Sequence, residues 1–272
     1  MRRILFALAL ILAPFGAFAW EQKPPRDINT CAKDAPFGLP TIRQGQNVIC
    51  RAAYVLANDP VAKIPQWVAY TLTPDEAVGC VPRTNAFAAD ASVPKGQRAE
   101  LEDYAKSGYD IGHIANAADM AFSEETMQES FLLTNMSPQL PGLNRGIWKV
   151  LESSERAWAY SYKHIYTIYA GNIWSAGSKT IGPNRVVVPD YIYKILIDNQ
   201  TGEVQAFLFS HREGQGTDLS VVLSSVAQIE QLAGVRFPVP QSHNKASKPA
   251  TPWPADLKAV ADAKKAKCKA AD

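Results

Sequence analysis

The stretch 191–209 limits the fold more than any other part of the chain. Residues 191–197 and 204–209 are rich in β-branched and aromatic side chains, and Asp198-Asn199-Gln200-Thr201-Gly202 between them is turn chemistry, so together they predict a β-hairpin. Hairpins build antiparallel sheet. Further strands are predicted at 67–72, 164–174 and 186–188 from the same aromatic and β-branched enrichment. Two segments carry a different period. Within 144–160, Ile147, Leu151 and Trp158 recur at helical spacing with Ala157 beside them. Within 219–233, Leu219, Val222, Leu223, Val226, Ile229 and Leu232 do the same, stopped by Gly234. Strands in hairpins with helices set apart predict an α+β fold, a central and mainly antiparallel sheet flanked by helices.

The first residues bear on the compartment. Met1-Arg2-Arg3 is a basic start, Ile4 to Leu12 is apolar, and Ala17-Phe18-Ala19 is a small-x-small cleavage site, which predicts a signal peptide over 1–19. The apolar run is too short for a stable span, so no lasting membrane association is expected after cleavage, and the product is periplasmic or secreted. Removing 1–19 takes two arginines and no acid, leaving 26 basic and 26 acidic residues. A polyanion partner must then be held by local basic groups or a metal, not by an overall field.

Cys31, Cys50, Cys80 and Cys268 are an even set with no C-x-x-C pair, which argues for disulfides over a cysteine-bound metal. Three connectivities are open; Cys31–Cys50 with Cys80–Cys268 is the expected one, its second bridge stapling the tail to the body. Residues 20–46 read as an irregular entry segment and 82–108 as a surface loop. Beyond Phe237, prolines 238, 240, 249, 252 and 254 interrupt a polar stretch, and residues 245–272 hold seven lysines and three aspartates. That end reads as a solvated linker with a short exposed helix, with phosphate contact a secondary reading. The chain divides into 1–19, one domain over 20–240, and a Pro/Lys-rich tail over 241–272. It shows no internal repeat.

The chemistry lies at Asp110-Ile111-Gly112-His113 and along the helix beginning at Asn144. Phosphodiester hydrolysis needs an activated water, neutralised phosphate charge and help for the leaving oxygen. A neutral imidazole such as His113 can accept a proton near pH 7. Asp110 and Gly112 are turn-formers around it. Alone, such a tetrapeptide says little, since a solitary histidine is more often structural. The helix adds what is missing. Asn144, Trp148, Glu152 and Arg156 follow at steps of four and form one slowly drifting stripe. Asn144 can offer an amide oxygen to a hard cation, Glu152 can hold water, and Arg156 can face phosphate or pair with Glu152. An ordinary ion pair on an amphipathic helix is the bland alternative. Between these motifs, 131–139 reads as a buried segment turning into a loop, with Asn135 and Gln139 as loop-capping amides.

Taken together, Ser107-Gly108-Tyr109-Asp110-x-Gly112-His113, Ser130-Phe131 through Gln139, and Asn144-x-Gly146-x-Trp148-x-x-x-Glu152-x-x-x-Arg156 resemble the DNA/RNA non-specific endonuclease family, the ββα-metal nucleases. The likeness extends more loosely from Cys50 through Trp67-Val68-Ala69-Tyr70, Arg83 and Asp90 to Ile229-Glu230-Gln231-Leu232-Ala233-Gly234. It implies the family fold for 20–240 and a metal-dependent endonuclease acting on DNA and RNA. It further implies that His113 is the general base, Asn144 the single protein ligand of Mg²⁺ or another divalent cation such as Mn²⁺, and Glu152 the carboxylate orienting water at that metal. Asn135 matches an amide of the site, and Arg156 and Arg83 match arginines directed at the phosphate. The products would carry 5′-phosphate ends.

The departure is Ile111, where the family usually has arginine. Losing a guanidinium removes a charge-assisted contact. Either Arg83, Arg145, Arg156 or Lys149 compensates, or the chain is a catalytically impaired nucleic-acid-binding protein on the same fold. A third reading is a nuclease-like effector or processing factor acting on a partner or a specialised polymer. His164, His211 and His243 lack metal-like spacing, and Gly214-Gln215-Gly216 reads as a loop.

Overall fold

The computed structural model describes residues 20–270; the predicted signal segment lies outside them. In chain order the strands are β1 (Asn47–Cys50), β2 (Val55–Asn58), β3 (Pro65–Leu72), β4 (Asp110–His113), β5 (Met136–Gln139), β6 (Tyr166–Ile173), β7 (Thr180–Ile181), β8 (Val186–Val187), β9 (Tyr191–Asp198), β10 (Val204–Ser210) and β11 (Leu223–Ser224). The helices are α1 (Leu101–Tyr104), α2 (Glu124–Ser130), α3 (Pro141–Leu143), α4 (Lys149–Tyr162), α5 (Val226–Ala233) and α6 (Leu257–Lys269). The expected hairpin is β9–β10, in register from Ile197 opposite Val204 to Tyr191 opposite Ser210. It sits inside a seven-stranded sheet of order β1-β2-β3-β6-β9-β10-β11, antiparallel at every pairing.

Both faces of this sheet are covered, which is why its central strands read as nearly unbroken apolar runs. On one face Ile192, Leu196, Ile168, Tyr70 and Phe207 pack against Trp148, Leu151 and Trp158 of the long helix. On the other, Tyr193, Ile195, Trp67 and Tyr169 pack against Val226 and Ile229 of α5 and against Phe237. Trp148 and Trp158 are fully buried. Truncating a core aromatic of this size to alanine costs about 3–5 kcal/mol, so these two fix α4 on the sheet. The α+β class and the mainly antiparallel sheet are as expected from the sequence.

Several local readings change. Asp110–His113 is not a turn but β4, paired with β5 from Asp110 opposite Gln139 to His113 opposite Met136. Asp, Gly and the opposing Pro138 are poor strand formers; pairing in a two-stranded ribbon outside the main sheet overrides that local preference. The helix expected over 219–233 is split. Leu219–Val222 is a 3₁₀ turn, Leu223–Ser224 adds β11 to the β10 edge, and Ser225 caps α5 by accepting from Gln228 N. Residues 82–108 are mostly irregular, yet not simply surface, because Asp90, Val93 and Ala99 are buried. The disulfides are Cys31–Cys50 and Cys80–Cys268, the expected pairing. The tail is docked and not a free linker: Trp253 stacks edge-on against Trp158 and accepts a hydrogen bond from its indole. Among the described residues, no helix is long and apolar enough to cross a membrane.

Candidate active site

β4, β5 and the helix that follows form a ββα unit lying against one face of the main sheet. Each piece has a local cause. Gly112 must be glycine because a Cβ there would meet the Gln139 side chain at 2.2 Å. That close approach lets Gln139 Nε2 donate to the His113 carbonyl at 3.4 Å, and Trp148 Nε1 donates to the same oxygen at 3.3 Å. The backbone of His113 is therefore gripped from β5 and from the helix together. Leu140 and Pro141 start the helix, proline being well suited to a first turn. The turn Asn144–Trp148 is a π-helical segment with Gly146 outside helical geometry (φ −98°, ψ −119°). This widened turn breaks the stripe expected from regular steps of four: Trp148 turns into the core while Asn144 faces Asp110.

His113 stands in an aromatic cage. Its ring lies 4.9 Å from Phe131, edge to face, and 5.7 Å from Phe87. Nε2 is buried with no protein partner, and the residue as a whole is 7% exposed, which makes Nδ1 the candidate proton acceptor. Burial, reinforced by the nearby Arg83 charge, lowers the His113 pKa to about 3. The imidazole is thus neutral across the physiological range, the form a general base requires.

Asn144 lies where β4 meets the helix. Its Nδ2 donates to Asp110 Oδ2 at 2.8 Å, which fixes the amide and leaves its oxygen, a hard donor, as the free atom. Arg145 grips the same carboxylate through Nε at 2.8 Å and Nη2 at 2.6 Å. Burial alone would raise the Asp110 carboxyl, but the bonds from Arg145 and Asn144 hold it below its usual range. Glu152 is 8% exposed. Burial lifts its carboxyl to about 7, with Lys194 opposing the rise and Asp119 adding to it. Arg83 lies over the Phe131 ring at 4.8 Å and donates to Asn85 at 2.7 Å. Burial lowers its guanidinium, and the Glu152 charge opposes that shift across the cleft.

Two of the expected site residues sit deeper than the sequence reading implied. Asn135 is fully buried and its amide is spent on backbone: Oδ1 accepts from Ala115 N, and Nδ2 donates to Ala115 and Ser130 carbonyls, each at 2.9 Å. It pins Ala115, two residues after His113, to the end of α2 and is not aimed into the cleft. Arg156 pairs with buried Asp119, at 2.8 Å, and not with Glu152. His113, Asn144, Glu152 and Arg83 come together at the cleft, and Arg156 stands beneath its edge. Asp119, Gln139 and Trp148 are supporting residues whose roles the sequence reading did not give. Asp119 had one signal, an acid set among small apolar residues in Ala115-Asn116-Ala117-Ala118-Asp119. Asp90 is likewise structural, bonded to Arg51 at 2.6 Å and Thr134 at 2.7 Å.

A histidine on a two-stranded ribbon, followed by a helix that presents an amide oxygen and a carboxylate, is the arrangement of a ββα-metal nuclease. The model of the DNA/RNA non-specific endonuclease family matches residues 37–242. Endonuclease G of Bos taurus mitochondria is 32% identical over 218 residues, covering 75% of this chain and 72% of that protein. The mitochondrial nuclease EXOG of Mus musculus is 30% identical over 251 residues, covering 86% of this chain and 67% of that protein. Among solved structures, the crystal structure of the EndoG/EndoGI complex superposes with a TM-score of 0.70 at 26% identity, covering 76% of this chain and 90% of that one. The chain belongs to the DNA/RNA non-specific endonuclease family. It is a nuclease, a hydrolase of a family whose members depend on a divalent metal.

Proposed function

We propose that the chain is an exported endonuclease that cuts DNA and RNA with little sequence preference and leaves 5′-phosphate ends. The observation that carries this reading is His113: neutral, caged by Phe87 and Phe131, and within reach of the Arg83 charge, which in turn feels Glu152. His113 Nδ1 accepts a proton from water, and the water oxygen attacks phosphorus. The bond from phosphorus to the 3′ oxygen breaks, and the electron pair leaves with that oxygen. Glu152 would orient water at a cation bound by Asn144. Arg83 faces the phosphate.

The donor set fits a single hard cation. Among the described residues no group of three or more His, Cys, Asp or Glu side chains gathers to hold a metal, while the Asn144 amide is fixed by Asp110 with its oxygen free. Mg²⁺ or Mn²⁺ would take Asn144 as its protein ligand, completed by water and phosphate oxygens. Such a cation supplies charge neutralisation on the phosphate and at the departing oxygen.

Ile111 contributes no charge, since it packs with Tyr109 and Phe87 against an apolar cluster. Arg145 answers for it. Its exposed guanidinium, held by Asp110 directly beside Asn144, stands where a phosphate would meet the metal. Recognition through phosphate, with no base-reading element, suits both DNA and RNA. Export is supported by the basic, apolar and small-residue order of 1–19 and by the pairing of all four cysteines.

The test mixes the full chain lacking 1–19 with plasmid DNA and with RNA, in Mg²⁺ or in EDTA, beside His113→Ala. Cleavage of both polymers in Mg²⁺ alone, lost in the variant, is expected. Retained binding with no cleavage under any divalent cation would instead make the chain the impaired binding protein that Ile111 raises.

A further inference from the structure

The positive charge of this chain is not spread evenly. Residues 20–244 carry 19 basic and 23 acidic side chains, whereas residues 245–272 carry seven lysines against three aspartates. The basic segment lies almost wholly beyond the stretch matched by the family, which ends at residue 242. A lysine-rich helix of this kind repels itself, and thirteen residues are marginal for a helix in water. Yet α6 is firmly placed. Asp256 caps its start by accepting from Ala259 N, and the Cys268–Cys80 bridge ties its end to the chain three residues before Arg83. Lys267 donates to the Asp75 carbonyl at 3.1 Å. The segment leading into α6 is anchored on α4 by Trp253 against Trp158 at 5.4 Å and by Tyr162 Oη donating to the Pro254 carbonyl at 2.9 Å.

These anchors put the helix at one particular place. It lies along α4 and the short 3₁₀ turn Glu76–Val78, at the end of the cleft where Arg83 and Arg156 stand. Val260, Ala263, Lys264 and Cys268 form its half-buried face, while Lys265, Lys267 and Lys269 are exposed. Lys264 is the innermost of the lysines. It feels both members of the Arg156–Asp119 pair, which lies one helical turn from Glu152. The helix is about 20 Å long, and duplex DNA presents a phosphate charge every ~1.7 Å along its axis. Lys264, Lys265, Lys267 and Lys269 span about 7.5 Å of the helix axis, and lysines held rigidly beside a phosphodiester-cutting site have their counter-charge in the substrate backbone.

We propose that α6 is an accessory nucleic-acid-binding wall, carrying the substrate track out of the cleft along Lys264, Lys265, Lys267 and Lys269. Its partner is the sugar-phosphate backbone of the same polymer, a choice that rests on the nuclease reading above. No base preference follows from it, because lysines on a helix flank contact phosphate and not base edges.

The experiment reads binding and not cleavage. A fluorescently labelled random-sequence duplex is titrated in EDTA, across a series of salt concentrations, with the full chain lacking 1–19 and with the variant Lys264→Gln/Lys265→Gln/Lys267→Gln/Lys269→Gln. Glutamine keeps helix propensity close to that of lysine, so α6 is preserved; the single variants Lys265→Gln and Lys269→Gln, both fully exposed positions, must shift binding in the same direction. Arg236→Gln is the control, since Arg236 lies between Val235 and Phe237 on the opposite face of the sheet. The expected result is a Kd raised roughly tenfold or more at low salt, and a salt slope shallower by about 2–4 because each lost phosphate contact removes about 0.9. Arg236→Gln should leave both unchanged. A Kd and slope within about twofold of the parent chain in the quadruple variant would overturn the proposal. A chain that binds through α6 yet cuts nothing in Mg²⁺ would overturn the catalytic reading alone.

Discussion

Two groups of polar side chains lie close together along the same helix, and they are treated in opposite ways. In the β4–β5 ribbon, buried polar atoms are left without protein partners: Nε2 of His113, Oγ of Ser137 and Oε1 of Gln139. Beneath α4, polar groups are closed on one another. Lys194 Nζ donates to both oxygens of Glu155, at 2.7 and 2.9 Å, and to Tyr70 Oη at 3.3 Å. Tyr70 Oη donates in turn to Asp119, which also holds Arg156. The difference separates chemistry from support. A buried group without a partner costs about 1–3 kcal/mol, so the ribbon that carries His113 bears a cost that the paired cluster does not. The paired cluster spends its atoms on fixing α4, and with it the position of Glu152.

That contrast can be broken most forcefully from the supporting side. Lys194→Met leaves Glu155 as an unpaired buried acid and should destabilise the chain by about 3–5 kcal/mol, read by chemical denaturation. Adding Glu155→Leu should recover most of this, because replacing both partners removes the stranded charge. If the single and double variants are equally unstable, the cluster is not a coupled pair.

Next in size is a pH effect on stability. The folded chain holds the Glu152 carboxyl near 7, above its ordinary value of 4.5, so the folded state binds the proton more tightly than the unfolded state. Its contribution is therefore present below pH 4.5 and is lost as pH rises through 7. In metal-free buffer, Glu152→Gln should gain up to about 3 kcal/mol relative to the parent chain between pH 4.5 and pH 8. A difference that stays flat with pH would mean that burial does not hold a proton on Glu152 in the folded chain.

The smallest expected effect concerns Arg145. Arg145→Gln should lower kcat/KM on duplex DNA by roughly tenfold, the size of one charge-assisted contact. Ile111→Arg should restore most of that loss in the Arg145→Gln background and add little in the parent. If Ile111→Arg raises the parent chain strongly, Arg145 does not stand in for the missing guanidinium.

Much of this was legible from residues alone. The hairpin 191–209 and the sheet class follow from patterning, the even cysteine set points to disulfides with one pairing favoured among three, and the candidate site residues come from motif order through the family resemblance. The site's local shape was not legible. Asp110–His113 looks like a turn because its polar residues face a cleft and its glycine answers to Gln139, neither of which appears as period-two hydrophobicity. The π segment at Asn144–Trp148 shifted the expected stripe, and no sequence period announces a widened turn. Lys194 is legible in principle, because it shares the face of Ile192 and Leu196 that α4 covers. A lysine at such a position demands a buried partner, and Glu155 is that partner. The tail misled because Pro and Lys suggest solvent, whereas Trp253 and Cys268 hold it to the body.

The central claim is that the unpaired imidazole of His113 is the base that activates water. The most direct measurement is the single-turnover rate of duplex cleavage by His113→Ala, at saturating Mg²⁺ and with DNA binding confirmed equal to the parent chain. A fall of about 10²–10⁴-fold at an unchanged unfolding midpoint is expected. A rate within about threefold of the parent, under the same conditions, would contradict it.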